Sequence, residues 1–264
     1  MPTATDAELE AILLHADLHP LGRIVESSNR AVLVDLGDGL HGIHKPISFE
    51  RPLWDYPTGN LASRERAAYL ISSAMGLRIV PPTVLRDGPW GRGSIQLWIG
   101  EPTLPLPEVV TVCRDDEVPD GWLAVLRGED EAGAAVTLAH AATSEVRSAA
   151  VLDAVLNNSD RKGGHLAVGP DGLRGFDHGV SLGVEGKLRT VLCGWAGQPL
   201  DPSDVDAIAR LRKALAAAPL RSALGDLITA SEIEALERRV AALSTQRRHP
   251  LPSQEWPAIP WPAM

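Results

Sequence analysis

The sequence predicts an α+β chain of two lobes with a cleft between them. Apolar, β-branched segments separated by turn residues fill the first part of the chain, and helical patterns dominate the second half. Hydrophobic residues make up 44% of the 264 residues, enough for a sizeable core, whereas only 4% are aromatic, so that core has to be aliphatic. We place an N-terminal lobe at 1–100, a C-terminal lobe at 101–250 and a proline-rich tail at 251–264.

The N-terminal lobe begins with a short helix and continues as a small antiparallel sheet. Thr5 and Glu8 have the spacing of a capping box, which predicts a helix to about His15. The apolar segments 30–36 and 40–45 flank Gly-Asp-Gly, which predicts a hairpin. With one more strand before a turn at residues 27–29, we expect three strands in sequence.

A helix and a further strand complete this lobe. Residues 63–75 carry apolar side chains at helical spacing, and Gly76 is a candidate C-cap. Residues 94–99 predict a strand, and the proline-rich segment 101–107 predicts a linker between the lobes.

The second half is predicted to be mostly helical. Turn residues at 169–172 separate two short strand signals, and five prolines among the last fifteen residues exclude regular structure there. A capping box starting at Ser231 introduces the last helix. The predicted elements are helices at 143–156, 204–218 and 231–244 and strands at 166–168 and 173–176.

Charge and composition exclude several classes of partner. The net charge is −9 and no run of Lys or Arg is longer than a pair, so we expect no nucleic-acid binding and no stable membrane association. We find neither a membrane-spanning apolar run nor a secretory signal, and Cys113 and Cys193 cannot form a disulfide framework. A cytoplasmic protein is the expectation.

Two acidic residues flank the short hairpin of the second half. Asp160 lies in a polar, glycine-containing loop after a predicted helix, and Asp177 follows 17 residues later in Phe-Asp-His-Gly. Such a hairpin brings both carboxylates to the mouth of one cleft, where hard oxygen ligands suit Mg²⁺ bound with phosphate. Taken singly, each aspartate is equally typical of a turn.

Lys45 strengthens the case for a shared site. It ends an apolar strand in a chain that has few lysines, and a half-buried ammonium needs a partner, for which Glu65 on the next helix is the natural candidate. An ordinary surface ion pair is the alternative. The order Lys45, Glu65, Asp160, Asp177 follows the order of functional residues in protein kinases.

The segment VLDAVLNNSDRKGGHL followed by GFDHGVSL resembles the catalytic and metal-binding motifs of the phosphatidylinositol 3-/4-kinase superfamily. The likeness is strongest to type II phosphatidylinositol 4-kinases and their bacterial relatives and more distant to the Fam20 secretory kinases. The family signature is D-R-x-x-x-N followed by D-x-G, which Asp160-Arg161 and Asp177-His178-Gly179 match. High Ala, Arg and Gly usage indicates a GC-rich genome, and the resemblance implies an actinobacterial branch of this superfamily.

This resemblance implies a two-lobed protein-kinase-like fold that uses ATP and Mg²⁺, with Mn²⁺ as a further option. Asp160 would be the catalytic-loop acid, Asp177 the metal-holding acid and Lys45, with Glu65, the phosphate-binding lysine. Lys162 is placed to meet the γ-phosphate. Two further ATP-binding positions are implied. Ser27 and Ser28 would lie in a turn that covers the phosphates, and Gln96 and Trp98 in the hinge beside adenine.

Two departures from the family pattern bear on activity. His165 replaces the asparagine of the signature and would be a softer metal ligand. No G-x-G-x-x-G occurs in the first strands, which argues against an ordinary protein kinase. Between Ser181 and Leu200 only Lys187 and Arg189 are basic, so an anionic lipid head group is disfavoured.

The sequence therefore predicts a metal- and ATP-dependent kinase acting on a soluble protein or small-molecule acceptor. A nucleotide-sensing pseudokinase and an enzyme that transfers AMP are the alternatives.

Overall fold

The computed structural model describes residues 4–24, 30–57, 59–253 and 256–264. Its N-terminal part is helix α1 (Asp6–His15) beside a five-stranded antiparallel sheet, in the order β1-β2-β3-β5-β4. Thr5 caps α1 in a capping box with Glu8, as predicted. The strands are β1 (His19–Arg23), β2 (Val32–Gly37), β3 (Leu40–Pro46), β4 (Thr83–Gly88) and β5 (Gly91–Leu97).

The hairpin between β2 and β3 is confirmed. Gly37, Asp38 and Gly39 all have positive φ angles of 86°, 52° and 74°, which the glycines adopt without steric cost. The Asp35 carboxylate accepts a hydrogen bond from the Gly37 amide at 2.9 Å and fixes the turn. On the other side of β3, Lys45 lies opposite Ser94 of β5.

Helix α2 (Leu61–Ala74) begins two residues earlier than predicted, because Asn60 is its N-cap and accepts from the Ser63 amide at 2.7 Å. The amides of Leu61 and Ala62, the first two of the helix, donate to the Glu50 carboxylate at 2.8 and 2.9 Å. The helix ends before Gly76, whose φ of 71° suits the predicted C-cap glycine.

A three-stranded antiparallel sheet after the linker was not predicted. It consists of β6 (Val110–Arg114), β7 (Trp122–Glu129) and β8 (Ala135–Ala141), in the order β6-β8-β7. Most residues of β7 are exposed, so the alternation of apolar and polar side chains that marks a half-buried strand is weak there. The prediction of a mostly helical second half was therefore wrong for this segment.

The remaining elements surround one hairpin, β9 (Leu166–Gly169) and β10 (Gly172–Gly175), which matches the predicted turn. The helix predicted at 204–218 is present as α4 at 202–215, and the short helix that follows it at 218–225 was not predicted. The last helix is capped by Thr229 with Glu232, so the predicted capping box at Ser231 was displaced by two residues. The helices are α3 (Ser144–Leu156), α4 (Pro202–Leu215), α5 (Ala218–Gly225) and α6 (Ala230–Gln246).

Two apolar clusters make up the core. The smaller joins α1 to the five-stranded sheet through side chains such as Leu13, Val34 and Ile95. The larger fills the second half of the chain and also contains the buried side chains of α2, among them Ile71 and Met75. Helix α2 thus follows the N-terminal strands in sequence but packs into the core of the other lobe.

The C-terminal segment returns to the body of the second lobe. Ala263 packs against the larger cluster, and its carbonyl accepts from the Gly163 amide at 2.8 Å. A tail of irregular structure is what its prolines predicted. The lobe boundaries near residues 100 and 250 stay predictions.

Candidate active site

Lys45 lies between two carboxylates from different parts of the chain. Its Nζ is 2.5 Å from Oε1 of Glu65 on α2 and 2.8 Å from Oδ1 of Asp177, which follows β10. The Lys45 side chain is 19% exposed, Glu65 is 3% exposed and Asp177 is half-exposed. The predicted pairing of Lys45 with Glu65 is therefore present, and it is a largely enclosed pair that Asp177 completes.

The backbone after β10 is shaped to bring Asp177 to this lysine. Asp177 has a φ of 55°, a conformation that non-glycine residues adopt rarely. The next amide, that of His178, donates to Oε2 of Glu65 at 3.0 Å, so Glu65 uses both oxygens. A Cβ on Gly179 would lie 3.1 Å from Cβ of Leu61, which explains why glycine allows α2 to approach so closely.

Lys45 and Asp177 stabilise each other's ionised forms. Burial alone would lower the pKa of Lys45, but the charges of Asp177 and Glu65 outweigh it and raise that pKa above the ordinary lysine value. The same ammonium holds the pKa of Asp177 well below its usual range. Lys45 and Asp177 are thus both ionised near neutral pH, as binding of a phosphate or a cation requires.

Asp160 lies in the loop that follows α3. The Asn158 side chain accepts from the Asp160 amide at 3.0 Å and fixes the backbone, while Lys162 Nζ is 3.2 Å from Oδ2 of Asp160. Burial raises the pKa of Asp160, Lys162 opposes that rise, and the charge of Asp177 adds to it. Asp160 therefore lies within electrostatic reach of Asp177.

His165 lies beside Asp177, with Nε2 at 3.5 Å from Oδ2. Burial lowers its pKa to about 4, so the imidazole is neutral at pH 7 and can offer a nitrogen lone pair. Its Nδ1 is enclosed and has no hydrogen-bond partner among the described residues. An enclosed imidazole next to an ionised carboxylate fits the edge of a cation site.

The protein offers few donors of its own for a metal. In the part of the chain that the structure describes, no three His, Cys, Asp or Glu side chains converge as a ready cage. Asp177 and His165 would instead hold a divalent ion together with phosphate oxygens and water, which is how Mg²⁺ is usually bound at nucleotide sites. The residues present fit such a shared site.

Sequence reasoning missed the buried ion pair that supports this site. Arg161 and Asp153 of α3 are both 0% exposed and lie 2.9 Å apart. The Asp153 carboxylate also accepts from Asn158 Nδ2 at 3.0 Å and from the Thr190 hydroxyl at 2.9 Å. An aspartate eight residues before Arg161, on the inward face of a helix, was the available signal.

Arg161 joins the loop of Asp160 to the segment of Asp177. Its Nη1 donates to the carbonyl of Phe176 at 2.9 Å, and its Nη2 is 2.6 Å from Nε2 of His178. Burial and the Arg161 charge keep the pKa of His178 well below its usual value, so the histidine accepts this bond in its neutral form. One guanidinium thus sets the spacing of the two acidic loops.

The other predicted nucleotide contacts are only partly described. Ser27 and Ser28 lie outside the described residues. Gln96 is buried in β5, and its side-chain amide donates to the Thr83 hydroxyl at 2.8 Å, so it connects two strands. Trp98 follows β5 and lines a cavity of about 160 Å³ with Pro82 and Arg174. Adenine contacts for these two residues stay predictions.

No protein-family model matches the chain. Protein Rv2133c of Mycobacterium tuberculosis is 47% identical to it over 264 residues, covering 96% of this chain and 94% of that protein. That likeness extends over both lobes.

Among solved structures, the Golgi casein kinase matches with a TM-score of 0.54 and 13% identity over 91% of this chain and 74% of that one. The same kinase with Mn and ADP bound gives a TM-score of 0.56, also at 13% identity, over 91% of this chain and 75% of that one. Hydra Fam20 with sugar gives 0.53 at 12% identity over 92% and 89% of the two chains. The chain therefore has a two-lobed, kinase-like fold.

Proposed function

The chain belongs to the family of protein Rv2133c of Mycobacterium tuberculosis, and we propose that it is an ATP- and divalent-metal-dependent kinase. The proposed acceptor is a hydroxyl group of a soluble protein or small molecule. The observation that carries the proposal is the contact of Lys45 with both Glu65 and Asp177. A kinase with this fold binds Mn and ADP, which supports a nucleotide and a metal at the corresponding cleft.

Each site residue has a defined task in this proposal. Lys45, held by Glu65, binds phosphate oxygens with its remaining N–H. Asp160 orients the acceptor hydroxyl and takes its proton as the acceptor oxygen bonds to the γ-phosphorus and the bond to ADP breaks. Lys162, 3.2 Å from Asp160, offers positive charge to the transferred phosphate.

Asp177 and His165 would hold the divalent ion. When bound, the ion neutralises charge on the phosphate oxygens. The mixture of carboxylate and imidazole is softer than the oxygen ligands that Mg²⁺ prefers, so we propose that Mn²⁺ serves at least as well.

The acceptor is proposed to be soluble because the segment from Ser181 to Leu200 contains only two basic residues. Lys187, one of two basic residues between Ser181 and Leu200, is engaged by Asp55 and lies 5.0 Å from the ring of Trp54. Within the described ranges, no helix has the length and apolar character needed to cross a bilayer. Membership of the phosphatidylinositol 3-/4-kinase superfamily and of an actinobacterial branch remain parts of the proposal.

Thermal unfolding with and without Mn²⁺-ATP tests the nucleotide site. At a hundred times its dissociation constant, a ligand adds about 2.7 kcal/mol of stability, which we expect for the wild type and not for Asp177→Asn. The matched control is Asp116→Asn, which alters an exposed carboxylate just after β6. This variant should be stabilised by Mn²⁺-ATP as much as the wild type is. Absence of a wild-type shift with Mn²⁺ and Mg²⁺ alike would sink the proposal.

The mass gained by an acceptor then identifies the reaction. A kinase adds a phosphate group, whereas the alternative AMP transfer adds a nucleotide, and mass spectrometry of a protein acceptor separates the two.

A further inference from the structure

Arg64 is the sequence neighbour of Glu65 and points into the other lobe. It is 2% exposed, and its Nη2 forms an ion pair with Oε1 of Glu232 on α6. Its Nη1 donates to the carbonyl of Ser181 at 2.8 Å. Two consecutive residues of α2 therefore face different partners, one toward Lys45 and the other toward the larger lobe.

The partner of Arg64 is itself held in place. Glu232 is the acidic residue of the capping box of α6, and its second oxygen accepts from the Thr229 amide at 2.8 Å. The ring of Tyr56 lies over the Arg64 guanidinium at 4.7 Å and shields it. Because both ends of the pair are fixed and enclosed, its geometry is set by the larger lobe.

The rest of α2 is fastened to the same lobe. Its buried apolar side chains from Ala67 to Ile71 belong to the larger apolar cluster, and Arg210 of α4 donates through Nε to the carbonyl of Met75 at 2.8 Å. On its other side, Arg66 donates to the carbonyl of Thr83 in β4. The helix is thus held at both ends. A tilt or rotation of α2 would withdraw the Glu65 carboxylate from Lys45 and from the His178 amide together.

We propose that Arg64 and Glu232 are positioning residues that hold Glu65 in place, so that the Lys45–Glu65 pair is already formed before a nucleotide binds. The consequence for nucleotide affinity rests on the proposed kinase function, whereas the positioning of Glu65 does not. Replacing either residue breaks the buried ion pair that ties α2 to α6, so α2 becomes free to shift.

Hydrogen exchange of the His178 amide in the protein without nucleotide reports the position of Glu65 directly. The Ala141 amide, which donates to the Val109 carbonyl at 2.8 Å in the separate three-stranded sheet, serves as the reference for general opening. The variants are Arg64→Met and Glu232→Gln, with Arg64→Lys as a milder change should the first fail to fold. Arg147→Met is the control, since it removes a half-buried ion pair with Asp201 that does not touch α2.

We expect exchange at His178, relative to Ala141, to be at least about tenfold faster in Arg64→Met and Glu232→Gln. Affinity for Mn²⁺-ATP should fall by a similar factor, and Arg64→Lys should be intermediate. Arg147→Met should lower the unfolding temperature without either effect.

If the folded variants keep both quantities within about twofold of the wild type, Arg64 and Glu232 do not position Glu65. If the wild type binds no Mn²⁺-ATP, the proposed function fails, but the exchange at His178 still decides the positioning role.

Discussion

Lys45 and Asp177 lie 132 residues apart in the chain and meet at 2.8 Å between Nζ and Oδ1. With Glu65 at 2.5 Å on the same ammonium, two of its three N–H groups are used and one is left for a phosphate. A strand of the first lobe, a helix packed into the second and the turn after β10 are thus joined at one nitrogen atom.

Asp160→Asn should separate binding from phosphate transfer. The amide keeps the shape of the side chain but cannot take a proton, so transfer to an acceptor should fall by about 10²–10⁴-fold while Mn²⁺-ATP affinity changes little. Turnover and equilibrium binding measured on the same preparation check this. Asp171→Asn, in the exposed turn of the hairpin, should leave both unchanged.

Unchanged turnover in Asp160→Asn would contradict the assigned role. A wild type that binds nucleotide but transfers nothing would instead favour the nucleotide-sensing alternative.

His165→Asn should change metal preference. Replacing a neutral imidazole by an amide oxygen gives a harder ligand, so affinity for Mg²⁺-ATP should rise relative to Mn²⁺-ATP, by about tenfold in the ratio of dissociation constants. Titration of ATP in the presence of each metal measures that ratio. An unaltered ratio would show that His165 does not touch the ion, and the exposed His15→Asn is the control.

Gly179→Ala should weaken nucleotide binding through α2. The added methyl group would lie 3.1 Å from Cβ of Leu61 and 3.8 Å from Oε1 of Glu65, and relieving that crowding costs about 1–3 kcal/mol. Gly186→Ala is the matched control, because a methyl group added there would meet no atom within 4 Å. Unfolding by urea and binding of Mn²⁺-ATP measure the two effects; equal behaviour of both variants would rule out the crowding.

His249→Phe should reduce the loss of folding stability that occurs as the pH falls. His249 is buried beside Trp195, and burial together with the charge of Arg147 lowers its pKa to about 4. Between pH 6.5 and 4 the unfolded chain binds a proton at this residue that the folded chain does not, so stability is lost as pH falls, by about 1.4 kcal/mol per pH unit. Phenylalanine cannot bind that proton.

Urea unfolding of wild type and His249→Phe at pH 7.5, 6 and 5 measures this contribution. As the pH falls, the free energy of unfolding should decrease less in the variant than in the wild type. If it decreases equally in both proteins, the pKa of His249 is not depressed. His19→Gln, which alters an exposed histidine in β1, should follow the wild type. Acid sensitivity from His140 and His165, whose pKa values are also lowered by burial, should remain.

Local patterns in the sequence were enough for several elements and for one contact of the site. The Gly-Asp-Gly turn, the capping box at Thr5 and the helical spacing before Gly76 depend on neighbours within a few positions, and the structure has all three. The contact of Lys45 with Glu65 was also predicted from sequence, since an ammonium in an apolar strand needs a partner. That these residues form a nucleotide site stays a prediction.

Tertiary structure alone decided the partner of the buried Arg64. Arg64 pairs with Glu232 at a separation of 168 residues, and no local period or turn signal links the two. The membership of α2 in the larger core was equally hidden, because sequence order places that helix among the N-terminal strands. Hydrophobic periodicity specifies that a face is buried, but the choice of partner depends on how all the faces pack at once, and that choice places Glu65 against Lys45.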